Sequence, residues 1–180
     1  MNLPQLQEIF DHQRQLANQF QEIETKNLRI PHSIPINVNS YQGQAVLRLY
    51  ATYFHEEIWE AQTAVAEELG AQVELEELSD AFHFLVDLCL FTEVHPETLA
   101  ASADRDELLG VAFGEFLHTL KAKPWKKNPT TVPSSIRLTL TWTFHAFMKH
   151  VRRAGFTEAQ LYEAYFAKAK INQARIDSGV

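Results

Sequence analysis

The sequence predicts an all-α fold, a helical bundle of about six helices around a four-helix core. Three observations carry that expectation. Apolar residues recur at three- and four-residue spacing through most of the chain. Proline, glycine and short polar residues gather between those stretches, where helices start and stop. No low-complexity segment or domain boundary interrupts the pattern, so one domain is expected over residues 1–180. A chain of 180 residues, 46% apolar and 22% charged, is long enough to bury one substantial core.

The helices follow in order. Residues 5–27 carry Leu6, Ile9, Phe10, Leu16, Phe20 and Ile23 at helical spacing in a polar background. Residues 28–40 hold Pro31 and Pro35 and read as an extended loop. A long helix is expected from Tyr41 to Glu68, with Leu47, Tyr50, Phe54, Ile58 and Val65 on one face and Gly70 as its stop. The next covers residues 73–92. The link between these two is short, so they should lie antiparallel and adjacent. Residues 93–103, with Pro96, read as loop. Asp104 with Glu107 offers a capping box for a helix running to about Leu120. A basic, proline-containing break spans Lys121 to Pro133. Ser134 or Ser135 should cap a helix ending at Gly155, although β-branched residues at 136–143 also admit a strand. Thr157 with Gln160 caps the last helix.

Composition narrows the function. A net charge of −7 argues against a nucleic-acid binder, which needs a basic surface for the phosphate backbone. It leaves room for a nucleotide substrate, because a bound metal reverses the local field. Cys89 is the single cysteine, so neither an intrachain disulfide nor a cysteine zinc site is expected. A buried thiol fits a reducing cytoplasm. No signal peptide opens the chain, and no apolar run approaches the roughly 20 residues of a membrane helix. A cytoplasmic protein without a membrane partner is expected.

Two acidic clusters stand out. Glu56-Glu57-Ile58-Trp59-Glu60 and Glu77-Leu78-Ser79-Asp80 each place carboxylates three residues apart, on one side of a helix. Acidic pairs at this spacing usually mark a solvated face. Here Ile58, Trp59, Phe82, Phe84 and Leu85 leave little room for one. Four carboxylates brought together by antiparallel helices repel one another unless a cation fills the site. Glu57, Glu60, Glu77 and Asp80 are therefore the candidate metal ligands. Hard cations such as Mg²⁺ take oxygen ligands and often a substrate phosphate. His83 follows one turn after Asp80 and reads either as a hydrogen-bonded core residue or as a substrate-side group. Tyr165, Lys168, Asn172 and Arg175 share one face of the last helix. They read as a solvated basic stripe or as a phosphate clamp. The loop with Trp125 and Lys126 reads as plain surface or as a lid, the indole stacking on a base.

Taken as a set, these residues resemble the all-α NTP pyrophosphatase superfamily, the MazG-like proteins and dimeric dUTPases. Glu56-Glu57-x-x-Glu60, then Glu77-x-x-Asp80, is similar to its metal motif. Asp80-x-x-His83-Phe84 and the ending Tyr165-x-x-Lys168-x-x-x-Asn172-x-x-Arg175-x-x-x-Gly179 are similar to the dUTPase branch. Gln13 resembles a glutamine of that branch's first helix. The chain departs from the pattern at Ala17 and Ala169, each where an asparagine is expected, at its Val180 ending, and in lacking a tryptophan-rich stretch between Glu60 and Glu77.

The resemblance implies a Mg²⁺-dependent hydrolase, with Mn²⁺ as alternative ion, cleaving a (deoxy)nucleoside triphosphate, dUTP or another deoxynucleotide, to monophosphate and pyrophosphate. It implies a homodimer, Glu57 or Glu60 as catalytic base, and Lys168, Asn172, Arg175, His83 and Gln13 at the substrate, to which the lid reading adds Trp125 and Lys126. Two other readings stay open. Asp80-x-x-His83 and Glu115-x-x-His118, with Glu57 and Glu60, approach the ligand pattern of di-iron helical bundles. A degenerate, non-catalytic interaction protein is the third.

Overall fold

Seven helices are found among the described residues: α1 (Leu3–Leu28), α2 (Tyr41–Ala66), α3 (Ala71–Thr92), α4 (Pro96–Ala101), α5 (Leu109–Thr119), α6 (Pro133–Arg153) and α7 (Glu158–Ser178). This computed structural model describes residues 1–28, 33–102, 106–123, 125 and 132–178. The all-α expectation holds, with α4 as an addition inside a segment read as loop. No described helix is long and apolar enough to cross a membrane.

Local chemistry explains where most helices begin. Asn2 and Gln5 exchange backbone-to-side-chain hydrogen bonds of 3.0 and 3.1 Å ahead of α1. Ser40 caps α2 by accepting from the Gly43 amide at 2.9 Å. The Thr157–Gln160 box forms as expected: the Gln160 amide donates to Thr157 Oγ1 at 3.2 Å, and Gln160 Oε1 accepts from the Thr157 amide at 2.8 Å. One expected cap does not form, and another falls on a residue outside those described. α6 starts on Pro133, preset for a first helical turn, so Ser134 and Ser135 lie inside the helix. α5 starts at Leu109, with no side-chain cap from Leu108; Asp104 lies outside the described residues.

Helix ends correct the sequence reading more instructively. α2 stops before Gly70. Glu68 takes the left-handed conformation, φ 56°, and the Leu69 amide reaches back to the Ala64 carbonyl at 2.9 Å. Gly70, φ 101°, instead leads into α3. Glu93 repeats the left-handed stop after α3, φ 61°. Gly155 ends α6 as expected, φ 94°, with the Phe156 amide on the Val151 carbonyl at 3.2 Å.

The β-branched run at 136–143 is helical. Thr139, Thr141 and Thr143 each donate a hydroxyl to the carbonyl four residues back, at 2.9 Å. These bonds satisfy the hydroxyls within the helix, and Ile136, Leu140, Phe144 and Phe147 keep the helical apolar stripe that buries.

α3 is the central helix, packing on α1, α2, α6 and α7. Its second half is buried almost all round, as a central helix requires. Phe82 stacks on Phe147 at 5.7 Å and meets Tyr165 edge-on at 5.9 Å. On α2, Leu47, Tyr50, Phe54 and Ile58 are buried, but Val65 is 57% exposed. Ala61 and Ala64 take over the buried stripe as the helix turns. At the start of α2 a Cβ on Gly43 would lie 2.2 Å from the Asn37 carbonyl oxygen, so the preceding loop crosses there without room for a side chain. Buried Gln44 donates to the Val38 carbonyl at 2.8 Å and accepts from the Ala122 amide at 2.7 Å. Arg48 also reaches the Leu120 carbonyl. The chain leaving α5 is thereby pinned to the first turns of α2.

Candidate functional site

A cavity of about 320 Å³ opens between four helices. α1 contributes Gln13, Ala17 and Phe20; α2, Tyr50, Tyr53 and Glu57; α3, Asp80, His83, Phe84 and Asp87; α7, Lys168, Asn172 and Arg175. Residues far apart in sequence converge because α1, α2 and α7 all pack on α3. Along α3 the wall runs from Asp80 to Asp87, about 10 Å by helical rise.

The acidic end comes from the antiparallel α2–α3 pair. Carboxylate oxygens of Glu57, Glu60 and Glu77 lie within 4.8 Å of one another. Asp80 stands beside them but is bound to Lys168 of α7. Burial, reinforced by Asp80, Glu60 and Glu77, pushes Glu57 up to about 7, against the pull of Lys168. Glu77 is raised by burial and by the Asp80 and Glu60 charges. Asp80 is raised by burial, which Lys168 and Arg175 partly offset. Closely placed carboxylates with elevated pKa values are the all-oxygen donor set that suits a hard divalent cation. Trp59, expected to press this cluster against the core, is instead 61% exposed. Glu57 is half-buried, close to the Asp80 and Glu77 carboxylates of α3.

The other end is aromatic and amide-lined. Tyr53 and Phe84 lie 5.3 Å apart, and Phe84 meets Tyr50 edge-on at 6.1 Å. Behind them His83, Gln13, Asp87 and Tyr165 form a buried hydrogen-bonded group. Gln13 Nε2 donates to Asp87 Oδ1 at 2.9 Å. Gln13 Oε1 lies 2.8 Å from both His83 Nδ1 and the Tyr165 hydroxyl. His83 Nε2 lies 3.2 Å from the Tyr165 carbonyl oxygen, and its ring stacks on the Tyr165 ring at 4.1 Å. Burial pushes the His83 pKa down to about 3, so the ring is neutral at physiological pH.

Most sequence candidates therefore meet in one place. Gln13, Glu57, Asp80, His83, Lys168, Asn172 and Arg175 line the cavity, with Glu60 and Glu77 at its acidic end. Tyr165, placed by sequence on the polar face of α7, is fully buried behind it. Trp125 is 78% exposed and does not line the cavity. Tyr50, Tyr53 and Phe84 form the aromatic wall of the cavity. Lys126 lies outside the described residues. Glu115 and His118 line a separate surface pocket with Trp142, and both His83 ring nitrogens face protein oxygens. The two carboxylate–histidine pairs of a di-iron site are thus not brought together. Sequence reading missed Asp87, Tyr50, Tyr53 and Phe20. Asp87 had a usable signal, a charged residue one turn after His83 in an otherwise apolar run.

Comparison with known proteins follows the same line. A protein-family model described as dUTPase matches residues 5–180. No curated protein and no solved structure matches the chain.

Proposed function

This chain belongs to the dUTPase family, and on that footing we propose that it is a Mg²⁺-dependent nucleoside triphosphate pyrophosphohydrolase. The substrate is dUTP or another deoxynucleoside triphosphate, and the products are the monophosphate and pyrophosphate. The carrying observation is the polarity of the cavity. Carboxylates and α7 cations stand at one end, and an aromatic, amide-lined wall at the other, which matches a nucleotide laid along α3. The volume of about 320 Å³ lies within the range of small-molecule sites.

Glu57, Glu60, Glu77 and Asp80 would hold Mg²⁺, or Mn²⁺ in its place, which supplies charge for the phosphate oxygens and lowers the pKa of a water. Glu57 or Glu60 takes the proton of the attacking water, and the phosphoanhydride bond between the monophosphate and the pyrophosphate breaks in line. Lys168 and Arg175 neutralise charge gathering on the pyrophosphate, and Asn172 donates a neutral hydrogen bond. Lys168 reaches a phosphate while still beside Asp80, or exchanges one for the other. Tyr53 and Phe84 stack against the base, and His83 supports that wall through Gln13. Ala17 offers no polar contact where the family resemblance expects one, so discrimination among pyrimidine triphosphates is weaker than in a dedicated dUTPase.

The enzyme works as a cytoplasmic homodimer in this reading. Leu108, Val111 and Leu138, on and beside α5 and α6, are exposed apolar side chains that such an interface could cover. Initial rates on a panel of (d)NTPs with Mg²⁺, scored for monophosphate and pyrophosphate, test the proposal. Cleavage of dUTP is expected. Release of orthophosphate, or no turnover on any triphosphate, rejects it.

A further inference from the structure

We propose that Asp87 is a positioning residue of this cavity: it fixes the Gln13 carboxamide and, through it, the tautomer of His83, so that Gln13 presents a hydrogen-bond donor to the base. The reference to a base rests on the nucleotide reading above; the hydrogen-bond pattern does not.

Donor and acceptor accounting carries the inference. Gln13, His83 and Asp87 are each at least nine-tenths buried, and all three line the cavity. Asp87 is taken as ionised, and an ionised carboxylate can only accept. The Gln13 amide nitrogen must therefore face Asp87, at 2.9 Å, and Oε1 must face His83 and Tyr165. The Tyr165 hydroxyl donates to Gln13 Oε1 at 2.8 Å. Oε1 has no proton to give, so the 2.8 Å contact with His83 Nδ1 requires the ring proton on Nδ1. The neutral ring then has a bare Nε2, which faces the Tyr165 carbonyl at the longer distance of 3.2 Å. One carboxylate thus dictates an amide orientation and a histidine tautomer, at the cost of one acceptor–acceptor contact. The second hydrogen on Gln13 Nε2 is left for the cavity. A donor there suits a keto oxygen, such as that at C4 of uracil, better than an amino group.

Asparagine at position 87 removes the dictation. Its amide can donate to Gln13 Oε1, the Gln13 carboxamide reverses, and Nε2 donates to His83 Nδ1. The ring proton moves to Nε2 and bonds the Tyr165 carbonyl, while the Tyr165 hydroxyl turns fully to the Ile9 carbonyl, now 3.2 Å away. Each of these contacts is satisfied, so the variant should fold. The donor offered to the base is lost in the exchange.

The experiment is ¹⁵N NMR of the histidine ring nitrogens in the full-length wild type and in Asp87→Asn, with initial rates of both on dUTP and dCTP. Wild-type His83 is expected to carry its proton on Nδ1 and the variant on Nε2. Selectivity for dUTP over dCTP should fall by about tenfold or more, the scale of one lost hydrogen bond. A wild-type proton on Nε2, or the same tautomer in both proteins, overturns the proposal. If the variant does not fold, the wild-type tautomer alone decides. A tautomer switch with unchanged selectivity rejects the base-reading part. A switch in a protein that cleaves no triphosphate leaves the positioning role standing and removes the nucleotide reading instead.

Discussion

Replacing Glu57 by glutamine should stabilise the metal-free protein while abolishing its activity. The substitution keeps the shape of the side chain and removes its charge. In the folded protein the carboxyl is moved from its ordinary 4.5 to about 7. At about 1.4 kcal/mol per pKa unit that is roughly 3 kcal/mol, and solvent screening of a half-buried group reduces it to about 1–2 kcal/mol. The folded state holds this proton more tightly than the unfolded chain does. The wild type therefore loses stability as pH rises from about 4.5 to about 7. The Glu57→Gln variant escapes that loss, and its amide can still donate to Glu77, which hydrogen-bonds Glu57 in the wild type. Urea melts in EDTA at about pH 4 and about pH 8 make the comparison. The two proteins should be equally stable at the acid end, and the variant should lead by about 1–2 kcal/mol at the alkaline end. A variant less stable than wild type at about pH 8 would refute the account of crowded, uncompensated carboxylates.

Three further outcomes are expected. Lys168→Ala and Arg175→Ala should each lower kcat/KM by about tenfold or more with metal binding retained in calorimetric titration; unchanged kinetics in both would return this face of α7 to ordinary surface. Gly43→Ala should cost at least about 2–3 kcal/mol in a denaturant melt, because the Asn37 carbonyl at 2.2 Å belongs to backbone and cannot step aside; a melt within about 0.5 kcal/mol of wild type, as at an ordinary surface site, contradicts that packing. Glu93→Gly should raise stability by about 0.5–1 kcal/mol, the relief of a left-handed non-glycine residue less the greater freedom of glycine in the unfolded chain. Its pair with Arg137, 3.6 Å apart and exposed, offsets little, so a lowered Tm would overturn that reading.

Helical periodicity revealed most of the architecture, because the apolar stripes read on α1 and on α2 bury as their spacing demands apart from Val65 at the end of α2. It failed where two local signals competed. Gly70 looked like the natural stop for α2, yet Glu68 accepts the left-handed turn once α3 packs back on α2. The threonines of α6 favour strands in isolation, and back-bonding with a buried stripe overrides them. The site was legible at its charged end, since Glu57, Glu60, Glu77 and Asp80 come from one hairpin and carry their spacing openly. Its aromatic end was not. Tyr50 and Tyr53 look like ordinary core positions on α2, and only the packing of α1 and α7 turns them into a wall. Trp125, read as plain surface or as a lid over a base, is exposed.

That same hairpin has a bearing on how the chain folds. Its four carboxylates converge as soon as α2 zips against α3, a contact across a short turn and therefore an early one. The cation that answers Asp80, Lys168, is 88 residues away and arrives only when α7 docks. Between those two events the chain carries a knot of like charge with nothing to offset it. Protons, salt or a divalent cation would ease that repulsion, so the rate at which this protein reaches its native state is expected to depend on the ionic composition of the solution.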